Sequence, residues 1–362
     1  MKKIIFVGEV PNQNYTNGIA ESNLRLLKNI ENNYDLYFFV DKPFHNIRNY
    51  SLSKIFSIIC FLKNYLFFIL SRLENSFVNF DFLYIVLSVN SPYGIIKNFF
   101  QIILLRPFSR KLIIHIHRSD ISNFDKCIPI IKILQKYILI SSHKIIVLSK
   151  DICLNSPLIQ FKDKVFVLKN TLSPEVENSL LSINYKNLDD TYRTRFFFYS
   201  NILLSKGIKI YIDLFNQNKN LDKKFSIVAG FPNNIKLVQY VLDNDHKYLG
   251  HVTKNIKLEL FANNDCIIFC SPNEGLPLIL LEAMSSGVFI ISTNVGFIPE
   301  LLGKDYPFMC NPNVKDLSNT IDKYFKLSKN QRFEIIKRMR QRYIELFSFE
   351  QWSKKTQLIF IN

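Results

Sequence analysis

The chain has 362 residues, 48% of them hydrophobic and 21% charged, with a net charge of +16. That composition excludes a disordered chain, and the length exceeds what one compact core usually fills, so two domains of ordinary size are expected. The six cysteines (Cys60, Cys127, Cys153, Cys266, Cys270 and Cys310) show no C-x-x-C pair and no zinc spacing. They read as reduced thiols of a cytosolic protein, and no metal site is expected.

The N-terminal "MKKIIFVGEV" has an apolar run stopped at Glu9, too short for a signal peptide and suited to a first buried strand. The loop "PNQNYTNG" and a helix "IAESNLRLLKNI" follow, with apolar residues at helical spacing. "DLYFFV", "FLYIVLS", "KLIIHIH", "HKIIVLS" and "KVFVLKN" are further strand-like runs separated by helical or loop segments. A polar stretch at 171–194 interrupts the pattern, which restarts with "FFFYSNI", "FSIVAG", "YLG", "CIIFCS" and "VFIIST". Short, nearly continuous apolar strands alternating with helices predict α/β halves with parallel, doubly wound sheets. The expected domains are 1–172, joined by a C-terminal helix at 349–362 that crosses back, and 173–348. Ligands of such sheets sit beyond the carboxyl ends of the strands.

The charge is uneven. Residues 1–170 hold 22 Lys+Arg against 11 Asp+Glu, a net of +11, whereas the remainder holds 24 against 19, a net of +5. Residues 42–111 alone hold nine basic residues and two acids, among long Phe, Leu and Ile runs such as "IFSIICFLKNYLFFILSRL". Lys63 and Asn64 in the middle of that run argue against a membrane span. Two readings stay open: helices lying on an anionic membrane surface, or a large buried helix whose basic residues meet solvent.

In "CSPNEGLPLILLEAMSSGVFIISTN" (270–294), Glu274 lies in the loop leaving a strand. Pro277 suits the first turn of a helix that Gly287 ends. The narrow polar sector of that helix holds Glu282, Ser285 and Ser286, which directs Glu282 to a cleft or to solvent. The backbone of Gly275, Leu276, Pro277 and Leu278 at the helix start can hold an anionic or hydroxyl-bearing ligand. Either acid alone reads as an ordinary surface carboxylate.

The stretch "NEGLPLILLEAMSSGVFIISTNVGFIPELL" resembles the E-x7-E signature of the large retaining glycosyltransferase family of GT-B fold often called family four. "KIIVLS", "VLKNTLSP", "YSNILLSKGI", "IVAG", "YLGHVTKNIKLELFANNDCIIFCSP" and the tail "FSFEQWSKKTQLIF" resemble further family segments in order. The likeness covers most of residues 140–362. It implies two Rossmann-like domains facing a cleft, with the acceptor on the first and a nucleotide-sugar on the second.

Carried over, the resemblance gives Glu274 the donor-sugar hydroxyls near the reacting carbon, together with the backbone from Gly275 to Leu278. Glu282 would take the ribose hydroxyls, and Lys206 would neutralise the diphosphate leaving group without a metal or other cofactor. Asn17 and Gly18 stand where the family usually has two glycines, near the donor phosphates. His115 or His117, at the end of a strand, would reach the cleft. Asn201 stands where the family usually has arginine, and Arg118 is a possible substitute. The implied partners are a nucleotide-sugar (a UDP-sugar foremost) and a lipid-linked saccharide, as in O-antigen or capsule assembly. The expected location is the inner face of the cytoplasmic membrane. A sugar-nucleotide epimerase of the same fold and a non-catalytic membrane- or nucleic-acid-binding protein are the rival readings. No basic-aromatic stacking motif supports nucleic acid as a partner.

Overall fold

The computed structural model describes residues 1–11, 18–40, 50–74, 80–88, 91–117, 128–154, 157–184, 194–232 and 234–361. The chain divides into two compact units, Met1–Lys169 with Trp352–Asn362, and Asn170–Gln351. Each boundary lies three residues from its expected place.

The first unit holds six strands: β1 (Lys2–Gly8), β2 (Tyr34–Val40), β3 (Phe80–Val86), β4 (Ser109–Ile116), β5 (Lys144–Val147) and β6 (Val165–Val167). They form one parallel sheet in the order β2-β1-β3-β4-β5-β6, so the direction of winding reverses between β1 and β3. β1, β3 and β4 are buried along most of their length, as strands covered on both faces must be. From β2 onward every crossover runs the same way across the sheet, the first three through long helices. Right-handed crossover therefore puts their helices, Tyr50–Glu74, Pro92–Leu105 and Pro129–Ser141, on one face. They touch in sequence: the Tyr65 hydroxyl donates to the Leu104 carbonyl, and the Phe99 and Tyr137 rings lie 5.4 Å apart.

The C-terminal residues pack within this unit. Ser353 donates to Asn29, the Lys144 ammonium donates to the Ile359 carbonyl at 2.6 Å, and the Phe360 ring packs tilted against Tyr34 and edge-on to Phe82.

The second unit also holds six strands: β7 (Phe196–Tyr199), β8 (Ser226–Ala229), β9 (Lys247–Tyr248), β10 (Cys266–Phe269), β11 (Phe289–Thr293) and β12 (Met309–Cys310). All pairings are parallel and the order is β12-β11-β10-β7-β8-β9. Winding therefore starts in the middle and reverses between β7 and β10. The crevice at their carboxyl ends is where ligands of open α/β sheets sit. Strand β12 is only two residues long and has no signature in the sequence. Among the described residues no helix is long and apolar enough to cross a membrane.

Candidate active site

The loops leaving β7 and β10 flank the reversal point of the second sheet and are fastened to each other. The Ser271 hydroxyl reaches the Ser205 carbonyl and the Cys270 thiol reaches the Gly207 carbonyl, at 3.4 and 3.1 Å. Gly207 has a φ of +82°, and a Cβ there would fall 2.1 Å from the Cys270 carbonyl oxygen. Only glycine allows so close an approach of the two loops. The turn it makes presents Lys206, whose Nζ donates to Glu274 Oε1 at 2.6 Å. The two side chains are 31% and 11% exposed. Two residues 68 positions apart, singled out separately in the sequence, thus form one ion pair at the reversal point.

The Glu274 loop is held from two other sides. The Asn170 amide donates to the Leu276 carbonyl at 2.8 Å, and Phe297 N–H donates to the Gly275 carbonyl. Gly296 packs its backbone against the Glu274 carbonyl, with a φ of +55°. The helix Leu278–Ser286 starts directly after, with Pro277 as its N-cap and Gly287 (φ +76°) as its stop. Pro277 has no N–H, so the donors at this helix start are the amides of Gly275, Leu276 and Leu278. They bond to no carbonyl or side chain among the described residues, leaving them for an anion or hydroxyl ligand.

Glu282 departs from expectation. It is only 7% exposed, because the neighbouring serines do not form a wet face: Ser285 and Ser286 are buried and donate to the Glu282 and Ala283 carbonyls of their own helix. Its Oε1 accepts from Lys257 Nζ at 2.6 Å, and Lys257 lies in the first turn of the helix Lys254–Asn263. Tyr199, at the end of β7, is near both. Burial raises its phenol, the Lys257 cation opposes that, and the Glu282 carboxylate adds to it. Asn201 is exposed and its side chain makes no hydrogen bond among the described residues.

In the first unit, His115 corrects its reading as a ligand-facing residue. It lies inside β4, is 3% exposed, and its Nδ1 bonds the Tyr84 hydroxyl at 2.6 Å, which makes it part of the core. His117, one residue past β4, is buried with its ring centroid 3.8 Å from that of His115. Burial, then the nearby Arg25 cation, pushes its imidazole down from 6.5 to about 3. It is a neutral imidazole near pH 7, able to accept one proton or donate one. Gly18 is the exposed first residue of the helix Gly18–Ile30. Asn17 and Arg118 lie outside the described residues. Among the described residues no cluster of three or more His, Cys, Asp or Glu is placed to hold a metal ion.

Lys257, Asn170, Gly296, Tyr84 and Arg25 were not singled out as site residues in the sequence. Asn170 stands within the quoted "VLKNTLSP", and Lys257 is a lysine among the apolar residues of "NIKLELF". Neither carries a signal of its partner without the fold.

The family model of glycosyl transferases group 1 matches residues 183–342, from before β7 to beyond β12. This stretch is similar to that family. Within the group 1 region lie Lys206, Lys257, Glu274, Glu282 and Gly296. The gpi3 subunit of phosphatidylinositol N-acetylglucosaminyltransferase from Schizosaccharomyces pombe is 26% identical over 169 residues, 43% of this chain and 37% of the relative. N-acetyl-alpha-D-glucosaminyl L-malate synthase of Bacillus anthracis is 29% identical over 145 residues, 39% of this chain and 38% of the relative. The matched stretch therefore spans less than two fifths of either relative's length. Among solved structures, sucrose-phosphate synthase of Thermosynechococcus elongatus aligns over 99% of this chain and 98% of its own, with a TM-score of 0.72 and 12% identity. Anabaena HepE in complex with UDP-glucose aligns over 99% of both chains, with a TM-score of 0.66 and 15% identity. The fold is GT-B, with two parallel six-stranded sheets.

Proposed function

We propose that this chain is a retaining glycosyltransferase that moves a sugar from a nucleotide-sugar, a UDP-sugar foremost, to a lipid-linked saccharide at an anionic membrane face. The observation that carries the reading is the Lys206–Glu274 pair at the reversal point of the group 1 region, beside the free amides that open the helix Leu278–Ser286. A lysine ammonium has three donors. One holds Glu274, and the other two are free to bind diphosphate oxygens.

In the transfer, the bond from the sugar's reacting carbon to the diphosphate oxygen breaks as the acceptor oxygen bonds to the same face. The acceptor's proton passes to the departing phosphate oxygen, and Lys206 with the helix-start amides stabilises the charge that develops there, with no metal required. Glu274 binds sugar hydroxyls next to the reacting carbon, and Glu282 binds the ribose. Solved complexes of HepE with UDP and with UDP-glucose support the nucleotide. The names of the matched relatives put N-acetylglucosamine first among sugars to test.

The membrane reading rests on the three-helix face of the first unit. Ile59, Leu62, Leu66 and Phe67 are exposed on Tyr50–Glu74, Ile96 and Phe100 on Pro92–Leu105, and Ile133 and Ile140 on Pro129–Ser141. Lys63, Lys97, Lys132 and Lys136 stand among them, and the sequences of the last two helices contain no acid. The surface therefore extends beyond residues 42–111 to the helix Pro129–Ser141. Apolar side chains framed by lysines suit the headgroup level of an anionic bilayer, as expected for an enzyme of surface polysaccharide assembly.

The test incubates the full chain with UDP-N-acetylglucosamine or UDP-glucose and a short polyprenyl-diphosphate saccharide, in EDTA, and identifies products by mass spectrometry and NMR. An α-linked product from the α-linked donor, lost in Glu274→Gln, is expected. An inverted linkage would overturn retention. An isomerised donor formed without any acceptor would instead establish the epimerase reading.

A further inference from the structure

The second acid of the pair does not stand alone, and its partner has a chemical consequence. Glu282 lies in the second turn of a helix buried nearly all round, with its carboxyl 9% exposed. Its Oε1 is taken by Lys257 Nζ at 2.6 Å, and its Oε2 accepts no hydrogen bond among the described residues. The lysine comes from a different crossover, the helix Lys254–Asn263 that precedes β10, and it is itself only 20% exposed. Tyr199 closes the group from the end of β7, within the electrostatic reach of both charges. All three lie toward the carboxyl edge of one sheet: Tyr199 ends a strand, Lys257 starts a helix, and Glu282 follows the β10 loop.

A glutamate has three rotatable bonds, and a hydroxyl pair on a ribose ring offers donors at a fixed separation. A carboxylate binds such a pair well only if its orientation is set beforehand, since ordering it at the moment of binding costs entropy. It also needs a countercharge, because a carboxylate taken out of water without one is strongly penalised. Lys257 meets both needs through one oxygen and leaves the other free.

We propose that Lys257 is the positioning residue for Glu282: it fixes the carboxylate so that Oε2 receives a ribose hydroxyl, and it thereby sets the preference for ribo- over deoxyribonucleotides. This rests on the reading that Glu282 meets the ribose. Lys257 itself touches no reacting atom, so its effect falls on nucleotide affinity and on the hydroxyl preference.

The experiment is isothermal titration of the full-length protein with UDP and its 2′-deoxy and 3′-deoxy forms, and in parallel with GDP and its deoxy forms. The proteins are wild type, Lys257→Met, Lys257→Gln, Lys257→Arg and Glu282→Gln. A hydrogen bond to a charged group predicts a preference of about 10-fold or more for the ribonucleotide in the wild type. The preference should fall to within about 3-fold in Lys257→Met and Lys257→Gln, and Lys257→Arg should restore most of it. A general loss of folding or of phosphate affinity would weaken all nucleotides alike and leave the ratio unchanged. If both neutral variants keep the wild-type ratio while Glu282→Gln loses it, the positioning role is wrong and the ribose reading stands. If Glu282→Gln keeps the ratio, the ribose reading itself is wrong. Should Lys257→Met fail to fold, Lys257→Gln and Lys257→Arg still decide between these outcomes.

Discussion

Replacing Gly296 by alanine perturbs the candidate site without touching any group that takes part in chemistry. The residue has a φ of +55°, and a Cβ built on it falls 1.8 Å from the carbonyl oxygen of Glu274, where real contacts begin near 3.0 Å. The Glu274 backbone must therefore retreat by at least about 1.2 Å, the difference between those two distances, because neither atom is the end of a flexible side chain. The left-handed backbone adds about 1–2 kcal/mol. Misplacement of a reacting group by about 1 Å costs on the order of 100-fold in rate. The expected outcome is a loss of about 100-fold in kcat, with a fall in Tm of about 2–4 °C for each kcal/mol lost. Steady-state transfer kinetics and differential scanning calorimetry on the same preparation measure the two effects. A Gly296→Ala protein with a lowered Tm and wild-type kcat would refute the claim that this contact aims Glu274.

Lys206→Ala should lower kcat/KM by about 10- to 150-fold, the range for one hydrogen bond between charged groups. The larger end is expected because Asn201, and no arginine, stands in the same loop; wild-type kinetics in the variant, or a strict need for Mg²⁺ after EDTA treatment, would remove Lys206 from its role. Vesicle flotation should show binding to anionic but not neutral lipid, weakened by salt and by replacing Lys63, Lys97, Lys132 and Lys136 with Gln. Equal binding to both lipids would contradict the membrane reading. His117 has a folded pKa of about 3 against an ordinary 6.5. Between those values the unfolded chain binds more protons, so stability falls as pH falls from about 6.5 toward 3. The acid-side loss in denaturation curves should therefore be shallower in His117→Gln, and an unchanged slope would place His117 in contact with solvent.

The strand pattern was legible because both sheets are parallel and buried, which writes each long strand as an apolar run. β12 was not, since two residues carry no periodicity. Glu274, Lys206 and the stop at Gly287 were legible because loops after strands and glycine stops leave local marks. Glu282 was half legible: its place on the helix was right, but helical geometry cannot say that Ser285 and Ser286 will bond their own helix and close the polar face. His115 was misread for a similar reason. Strand-end position suggested exposure, whereas Tyr84 from the neighbouring strand takes its Nδ1 and makes it core. In each failure the deciding partner lies far away in sequence, beyond any local pattern.

Both candidate carboxylates are held by lysines from other crossovers, Glu274 by Lys206 and Glu282 by Lys257, each at 2.6 Å. Two acids and two bases at the carboxyl edge of one sheet are thus balanced before any ligand arrives. A bare diphosphate has only acceptor atoms: it satisfies Lys206 but sets its own charge against the carboxylates. On the proposed reading, a nucleotide-sugar carries phosphate oxygens for Lys206 together with ribose and sugar hydroxyls for the carboxylates, while Lys257 stays on Glu282, so each charge keeps a partner of the right kind. Selectivity on this arrangement arises as much from what inorganic phosphate leaves unpaired as from what the nucleotide-sugar binds. The same balance explains why a single substitution on either side should be costly. It takes the ion pair seen here from the opposite charge, a carboxylate 11% or 9% exposed where a lysine is replaced, a lysine 31% or 20% exposed where an acid is.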